Sequence, residues 1–255
     1  MAKEKTRKKK KRRKKNYLLR LVVLILIGVS AYFVMSASFF EVTEVEVVNN
    51  NYFTKEQVLN IAGVENGENI FFDVKTGKVK DTLMEEPYIR NAKVKIKLPS
   101  TVVIEIEERE EKAAVKYGDS YIILDGDGLV LRQTDVAPSV TELTGLTLKS
   151  IQPGTALDVE ENYQFSDTLD IIGIMDESEV YFKKIDISAV RVRAYIYDKL
   201  VCVGTPETII SNLNSGGLQK VLFELYSQGV ERGTITVGAD GSCAFSAATD
   251  DHGEE

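Results

Sequence analysis

The longest apolar stretch of the chain, residues 21–40, runs for twenty positions without a charge. A bilayer's hydrocarbon core is crossed by about 20 apolar residues in a helix, so this stretch predicts one membrane span, residues 17–40 with its flank. Beyond it the pattern shortens. In residues 41–48, Val42, Val45 and Val47 stand against Glu41, Glu44 and Glu46, with Thr43 and Val48 between, which predicts a strand starting almost at the membrane surface. Thr54, three positions ahead of Gln57, forms a capping box for a helix with Val58, Leu59, Ile61 and Ala62 on its apolar face and Gly63 at its stop. Ile70, Phe71 and Phe72 follow, and the two phenylalanines read as plugs for the core. A second helix is expected over residues 76–86, with Val79, Leu83 and Met84 inward and Pro87 ending it. Residues 88–98 set Ala92, Val94, Ile96 and Leu98 on one face and Lys93, Lys95 and Lys97 on the other. After a turn at Pro99 and Ser100, residues 101–108 return with Val102, Ile104 and Ile106 opposite Glu105 and Glu107. Lysines and glutamates on neighbouring strands contribute about 0.2–1 kcal/mol per pair. The order is β-α-α-β-β.

From Lys112 the elements become short strands. Residues 113–117, 121–124 and 129–132 predict a meander, and Asp125, Gly126, Asp127 and Gly128 between the last two read as a hairpin turn. Calcium is the rival reading, but an EF-hand loop needs further ligands and a distal Glu at fixed spacing. A helical pattern covers residues 159–175, strands are expected at 180–187, 190–197 and 200–204, and a last helix at 213–228. A final strand over 233–237, extended through 242–245, precedes a solvated acidic tail, 246–255. The expected fold class is α+β: a basic tail (1–16), a single transmembrane helix (17–40), a small β-α-α-β-β domain (41–109), and a mostly antiparallel β domain with flanking helices (110–245).

Charge gives the span a direction. Lys8, Lys9, Lys10, Lys11, Arg12, Arg13, Lys14 and Lys15 stand just ahead of it, and such flanks stay cytoplasmic, so the bulk of the chain is expected outside. Ser36, Ala37 and Ser38 resemble a signal-peptide cleavage site, but signal cores run roughly 7–15 residues, so a retained anchor is the reading. The formal net charge of -7 is divided. Residues 1–15 hold 11 Lys and Arg with one Glu; the remainder holds 21 Lys and Arg against 38 acids. An acidic exported part lacks the clustered cations that phosphate contact requires, which argues against a nucleic-acid partner.

No reacting constellation stands out. His252, the single histidine, is in the expected tail, so a Cys-His pair has no positioned base. There is no GxSxG elbow, P-loop, GxGxxG or HExxH, and one His with two distant Cys is a poor zinc set. No catalytic residue, metal, cofactor or small-molecule substrate is therefore expected, and the exported part is read as binding rather than catalysing. Cys202 and Cys243 lie where a disulfide is permitted but not required, and the leading reading is two buried small apolar residues.

An ordered set of short strings resembles one family. They are Phe53 through Val58, Gly67 through Phe72, Pro87 through Val94, Leu98 through Val102, Glu107 to Arg109, Tyr121 through Asp125 and Ile185 through Ser188, all after a membrane span. Over about residues 17–245 the chain resembles the bacterial cell-division proteins FtsQ/DivIB, with the basic tail and acidic remainder closer to the Gram-positive DivIB branch. Where proline commonly follows the family's Glu-Arg, this chain has Glu110 and Glu111. The resemblance implies a POTRA domain at 41–109 and a non-enzymatic divisome scaffold at the septum. It implies FtsL and FtsB/DivIC-type partners and, through them, an influence on the septal peptidoglycan synthase. By position, the implied partner edge is Thr234, Ile235, Thr236 and Val237, or Asp240, Gly241, Ser242, Cys243, Ala244 and Phe245. The other readings are a POTRA-bearing translocation or assembly protein, against which the lack of a barrel-like array of strands counts, and a cell-wall enzyme.

Overall fold

The computed structural model describes residues 17–247; the basic run 8–15 and His252 lie outside them. The apolar run forms α1 (Tyr17–Met35), none of whose residues is buried. At 1.5 Å per residue it is about 29 Å long. One 3-10 turn (Ser38–Phe40) leads into β1 (Glu44–Val48). Then α2 (Lys55–Ala62) begins with both halves of the capping box made: Gln57 N–H donates to Thr54 Oγ1 and Thr54 N–H to Gln57 Oε1. After α3 (Thr76–Met84), β2 (Ile89–Lys97) and β3 (Thr101–Glu108) form a hairpin. β3 is central, antiparallel to β2 and parallel to β1. Val45, Val58, Ile70, Leu83 and Ile104 are among the residues of this first core. The opposite face carries the charge pairs, Lys95–Glu105 at 3.3 Å and Lys97–Glu46 at 3.1 Å.

Three expectations about this half need correction. Ile70 alone fills the core; Phe71 and Phe72 turn outward, because the loop has its backbone committed to Phe40 and Asn69. Met84 points away, since a helix this short buries one stripe and Leu83 occupies it. Leu98 belongs to the turn rather than to β2 and is exposed.

The second sheet has nine strands: β4 (Ala113–Tyr117), β5 (Ser120–Leu124), β6 (Val130–Thr134), β7 (Thr141–Thr144), β10 (Lys184–Asp186), β11 (Val192–Tyr197), β12 (Lys199–Gly204), β13 (Arg232–Val237) and β14 (Cys243–Ser246). A separate ribbon pairs β8 (Leu148–Ser150) with β9 (Asp158–Val159). The order is β14-β13-β12-β11-β10-β7-β4-β5-β6, and five of its eight pairings are antiparallel. Helices α4 (Asn162–Ser178), α5 (Pro206–Ser215) and α6 (Gly217–Ser227) cover one face, where Ile171, Ile209 and Leu218 meet Ile185, Leu200 and Ile235. The 213–228 helix is thus two helices. Thr205 caps the first, Pro206 opens it, and Gly216 at φ 72° breaks the chain between them.

Between the sheets lies a polar joint. Tyr52 stacks on Tyr88 with centroids 4.1 Å apart. The Tyr88 hydroxyl donates to Glu111 Oε1 at 2.6 Å and accepts from Arg132 Nε at 2.9 Å. Arg132 Nε also donates to Glu111 at 2.9 Å. Burial opposes ionisation of Tyr88, and its bond to Glu111 adds to that, so its pKa stands above the usual phenol range. Burial likewise opposes ionisation of Glu111, but the bonds from Arg132 and Tyr88 outweigh it and hold the carboxyl below its ordinary value. Arg109 pairs with buried Asp125, and Arg90 with Asp127. Glu108 accepts the backbone N–H groups of Asn51, Tyr52 and Phe53 at 2.7, 2.7 and 3.0 Å. The Asp125 turn therefore does double duty: its carboxylate caps the N–H groups of Asp127 and Leu129 while meeting Arg109.

Candidate partner-binding edge

An open sheet ends in strands with one unpaired row of backbone groups, and this sheet ends in β6 and β14. β14 arises from a hairpin after β13. Gly238 N–H donates to Ser242 O at 2.8 Å, and Gly241 adopts φ 80° in the turn, a conformation that costs glycine little. Ser242 donates to Asp240 Oδ1 through its hydroxyl (2.7 Å) and its N–H (3.0 Å); those two bonds, hydroxyl first, lower the Asp240 pKa.

The register decides which groups are free. Thr234, Ile235, Thr236 and Val237 pair with β14 on one side and with residues 201–203 of β12, in part, on the other. They are interior to the sheet, so the first of the two expected edges is not an edge. Asp240, Gly241 and Ser242 form the turn. Cys243, Ala244, Phe245 and Ser246 form the outer strand. Hydrogen-bonded and non-bonded pairs alternate in an antiparallel ladder. Counting from the bonded Gly238–Ser242 pair, Ala244 faces Thr236 with its N–H and C=O, and Cys243 and Phe245 point theirs outward.

Side chains fix this strand from below. Phe245 lies over Gly233, where a Cβ would come within 2.5 Å of the ring, and Gly233 holds φ 137°. Cys243 contacts Asn212 Oδ1 at 3.1 Å. Cys202 is fully buried on β12, and burial, followed by its neighbour Cys243, pushes its thiol up to about 12. Burial also raises Cys243. Both thiols are free. They sit two strands apart and out of line, Cys202 aligning through Ile235 with Phe245, so their Cα atoms are at least about 9.6 Å apart at 4.8 Å per strand, beyond the separation of about 4.4–6.8 Å that a disulfide spans.

A groove of about 800 Å³ runs between α6 and the β11–β12 turn, lined by Tyr181, Tyr197, Leu222, Phe223, Tyr226 and Val230; a second of about 740 Å³, lined by Ala247 just past β14, shares Ile196, Tyr197 and Val230 with it. Phe223 and Tyr226 are 73% and 74% exposed. The sequence reading missed this surface because helical spacing within 213–228 marks the inward stripe and does not tell what the outward rings Phe223 and Tyr226 meet. Among the described residues no group of three or more His, Cys, Asp or Glu is arranged to hold a metal ion. The surface offers backbone donors and acceptors beside aromatic rings, a chemistry of peptide association.

Comparison with known proteins agrees with this architecture. Residues 40–109 match the POTRA domain of the FtsQ type. The chain is 27% identical over 180 residues to the cell division protein DivIB of Clostridium acetobutylicum, covering 69% of this chain and 72% of that one. It is 24% identical over 231 residues to DivIB of Clostridium botulinum, covering 88% and 89%. With the cell division protein FtsQ of Corynebacterium glutamicum it shares 31% over 108 residues, covering 42% and 47%. With its apolar N-terminal helix, its FtsQ-type POTRA module over residues 40–109 and its large β-sheet, the chain is similar to the FtsQ/DivIB cell-division proteins.

Proposed function

We propose that this chain is a non-enzymatic divisome scaffold that receives an extended segment of an FtsL- or FtsB/DivIC-type partner along β14. It sits in the cell membrane by α1, with its N-terminus in the cytoplasm and its two folded domains, about 41–109 and 110–245, outside, at the division septum. Through those partners it helps control the septal peptidoglycan synthase. The observation that carries this reading is the outward row of Cys243 and Phe245 on a terminal strand. An added strand would satisfy those groups, and the neighbouring aromatic groove supplies apolar contact. The cell-division names of the relatives support the setting.

The test is a pull-down of the detergent-solubilised full chain with the extracytoplasmic segments of the host's FtsL and DivIC homologues, beside Phe245→Pro. Proline removes an outward N–H and spares the inward bonds of Ala244. Partner capture by the wild type and its loss in Phe245→Pro, with unchanged circular dichroism, is the expected result. Equal capture by both would move the site away from β14, and no capture by the wild type would remove the partner assignment.

A further inference from the structure

We propose that the POTRA loop 69–72 docks on the headgroup boundary of the membrane beside α1, so that the domain rests on lipid through Phe71 and Phe72. The loop is locked to the outer end of the helix. Asn69 Nδ2 donates to the Met35 carbonyl at 2.8 Å, meeting one of the carbonyls that a helix end leaves without an intrahelical donor. Ile70 N–H donates to Phe40 O at 3.0 Å, while the Ile70 side chain is 1% exposed within the POTRA core. With Ile70 held inside, its neighbours project outward. Phe71 is 39% and Phe72 44% exposed, and Phe39 on the connecting turn is 66% exposed.

The rings set the depth. Phe72 lies 5.4 Å from Tyr32, and Phe71 lies 5.2 Å from Phe40, centroid to centroid. Tyr32 belongs to the last turn of α1, whose length of about 29 Å nearly equals a hydrocarbon core of about 30 Å. Phe72 therefore stands level with the outer end of the span. Tyr and Trp collect at that level, as Tyr32 does here, and segments lying in the interface bury Phe and Leu in the headgroup and acyl boundary beside them. Single exposed apolar residues are ordinary on any surface. This group differs because it is continuous with a helix surface that already belongs to lipid, and that continuity makes lipid the occupant.

The inference rests on reading α1 as a membrane span, and the test separates the two. The chain contains no tryptophan, so an introduced one is the only indole emitter. Full-length Phe71→Trp and Phe72→Trp are each reconstituted in vesicles of phosphatidylcholine and phosphatidylglycerol, with bromine near the headgroups in one preparation, which reports on the loop, and near the acyl-chain ends in a second, which reports on mid-span. Leu26→Trp, mid-span, and Phe223→Trp, on α6, serve as references. The expected result is loss of emission for both loop variants and for Leu26→Trp, with Phe223→Trp unaffected. Circular dichroism matching the wild type guards against misfolding, and the two loop variants serve as independent reporters. Quenching of Leu26→Trp without either loop variant, or equal quenching of Phe223→Trp, would overturn the docking and leave the span. An unquenched Leu26→Trp would overturn the span and the docking with it.

Discussion

Replacing Glu111 by Gln keeps the shape of the joint and removes its charge. Tyr88→Phe removes the hydroxyl that donates to it at 2.6 Å, the length of a charge-assisted bond. Hydrogen bonds to charged groups contribute roughly 1.5–3 kcal/mol. Here the site is partly wet, with the Glu111 side chain 26% and Arg132 39% exposed, and solvent screening lowers the expected coupling to about 1 kcal/mol. The measurement is a double-mutant cycle by urea unfolding of residues 41–247, followed by circular dichroism. The cycle has a pH signature. The folded carboxyl is depressed below its ordinary value of 4.5, so the stability it lends is fully present above that value. It is lost as pH falls through the lower, folded pKa. Coupling within about 0.3 kcal/mol of zero at neutral pH, the additivity error of unrelated sites, would refute the reasoning. So would a coupling that persists unchanged well below the carboxylate range.

Gly145 holds φ 83°, and a Cβ there would meet the Ser188 backbone nitrogen at 2.5 Å, so Gly145→Ala is expected to cost about 1–3 kcal/mol in thermal or urea unfolding. Thr54→Ala deletes the side-chain half of the capping box and should lower stability by about 1 kcal/mol in the same assay. Cys202, buried and with its thiol raised to about 12, should resist iodoacetamide at mildly alkaline pH in the folded chain and react after unfolding. Labelling of Cys202 at the rate of an unfolded thiol would contradict the packing of β12.

The POTRA half was legible because its signals are local. The capping box over residues 54–57 and the opposed lysine and glutamate faces of β2 and β3 carry their own geometry. Misreadings came where tertiary contact overrides pattern. Nothing in the string Ile70, Phe71, Phe72 tells which side chain turns inward; that depends on contacts such as the bond from Asn69 to a carbonyl 34 residues upstream. In the second half, β7 to β9 are four residues or fewer, too short to show a period. α5 carried a signal that was passed over, Thr205 before Pro206, a cap followed by the preferred first helical residue. The edge is the instructive case. Residues 233–245 read as one continued strand, yet the Asp240 turn folds them back, making the inner half interior and leaving only the outer half open. Strand order is a property of the whole sheet, and no local window contains it.

The nine-strand order also gives the molecule a lever. The joint holds the β4–β5–β6 end through Arg132 on β6 and Asp125 after β5, while β14 closes the opposite end. Eight strand spacings separate them, about 38 Å. A tilt of about five degrees at the joint would carry β14 sideways by about 3 Å over that span, comparable to the length of one hydrogen bond. Small rearrangements of Tyr88, Glu111 and Arg132 would thus be magnified at the far edge, and a tether that steadies the POTRA domain would also steady the reach of β14.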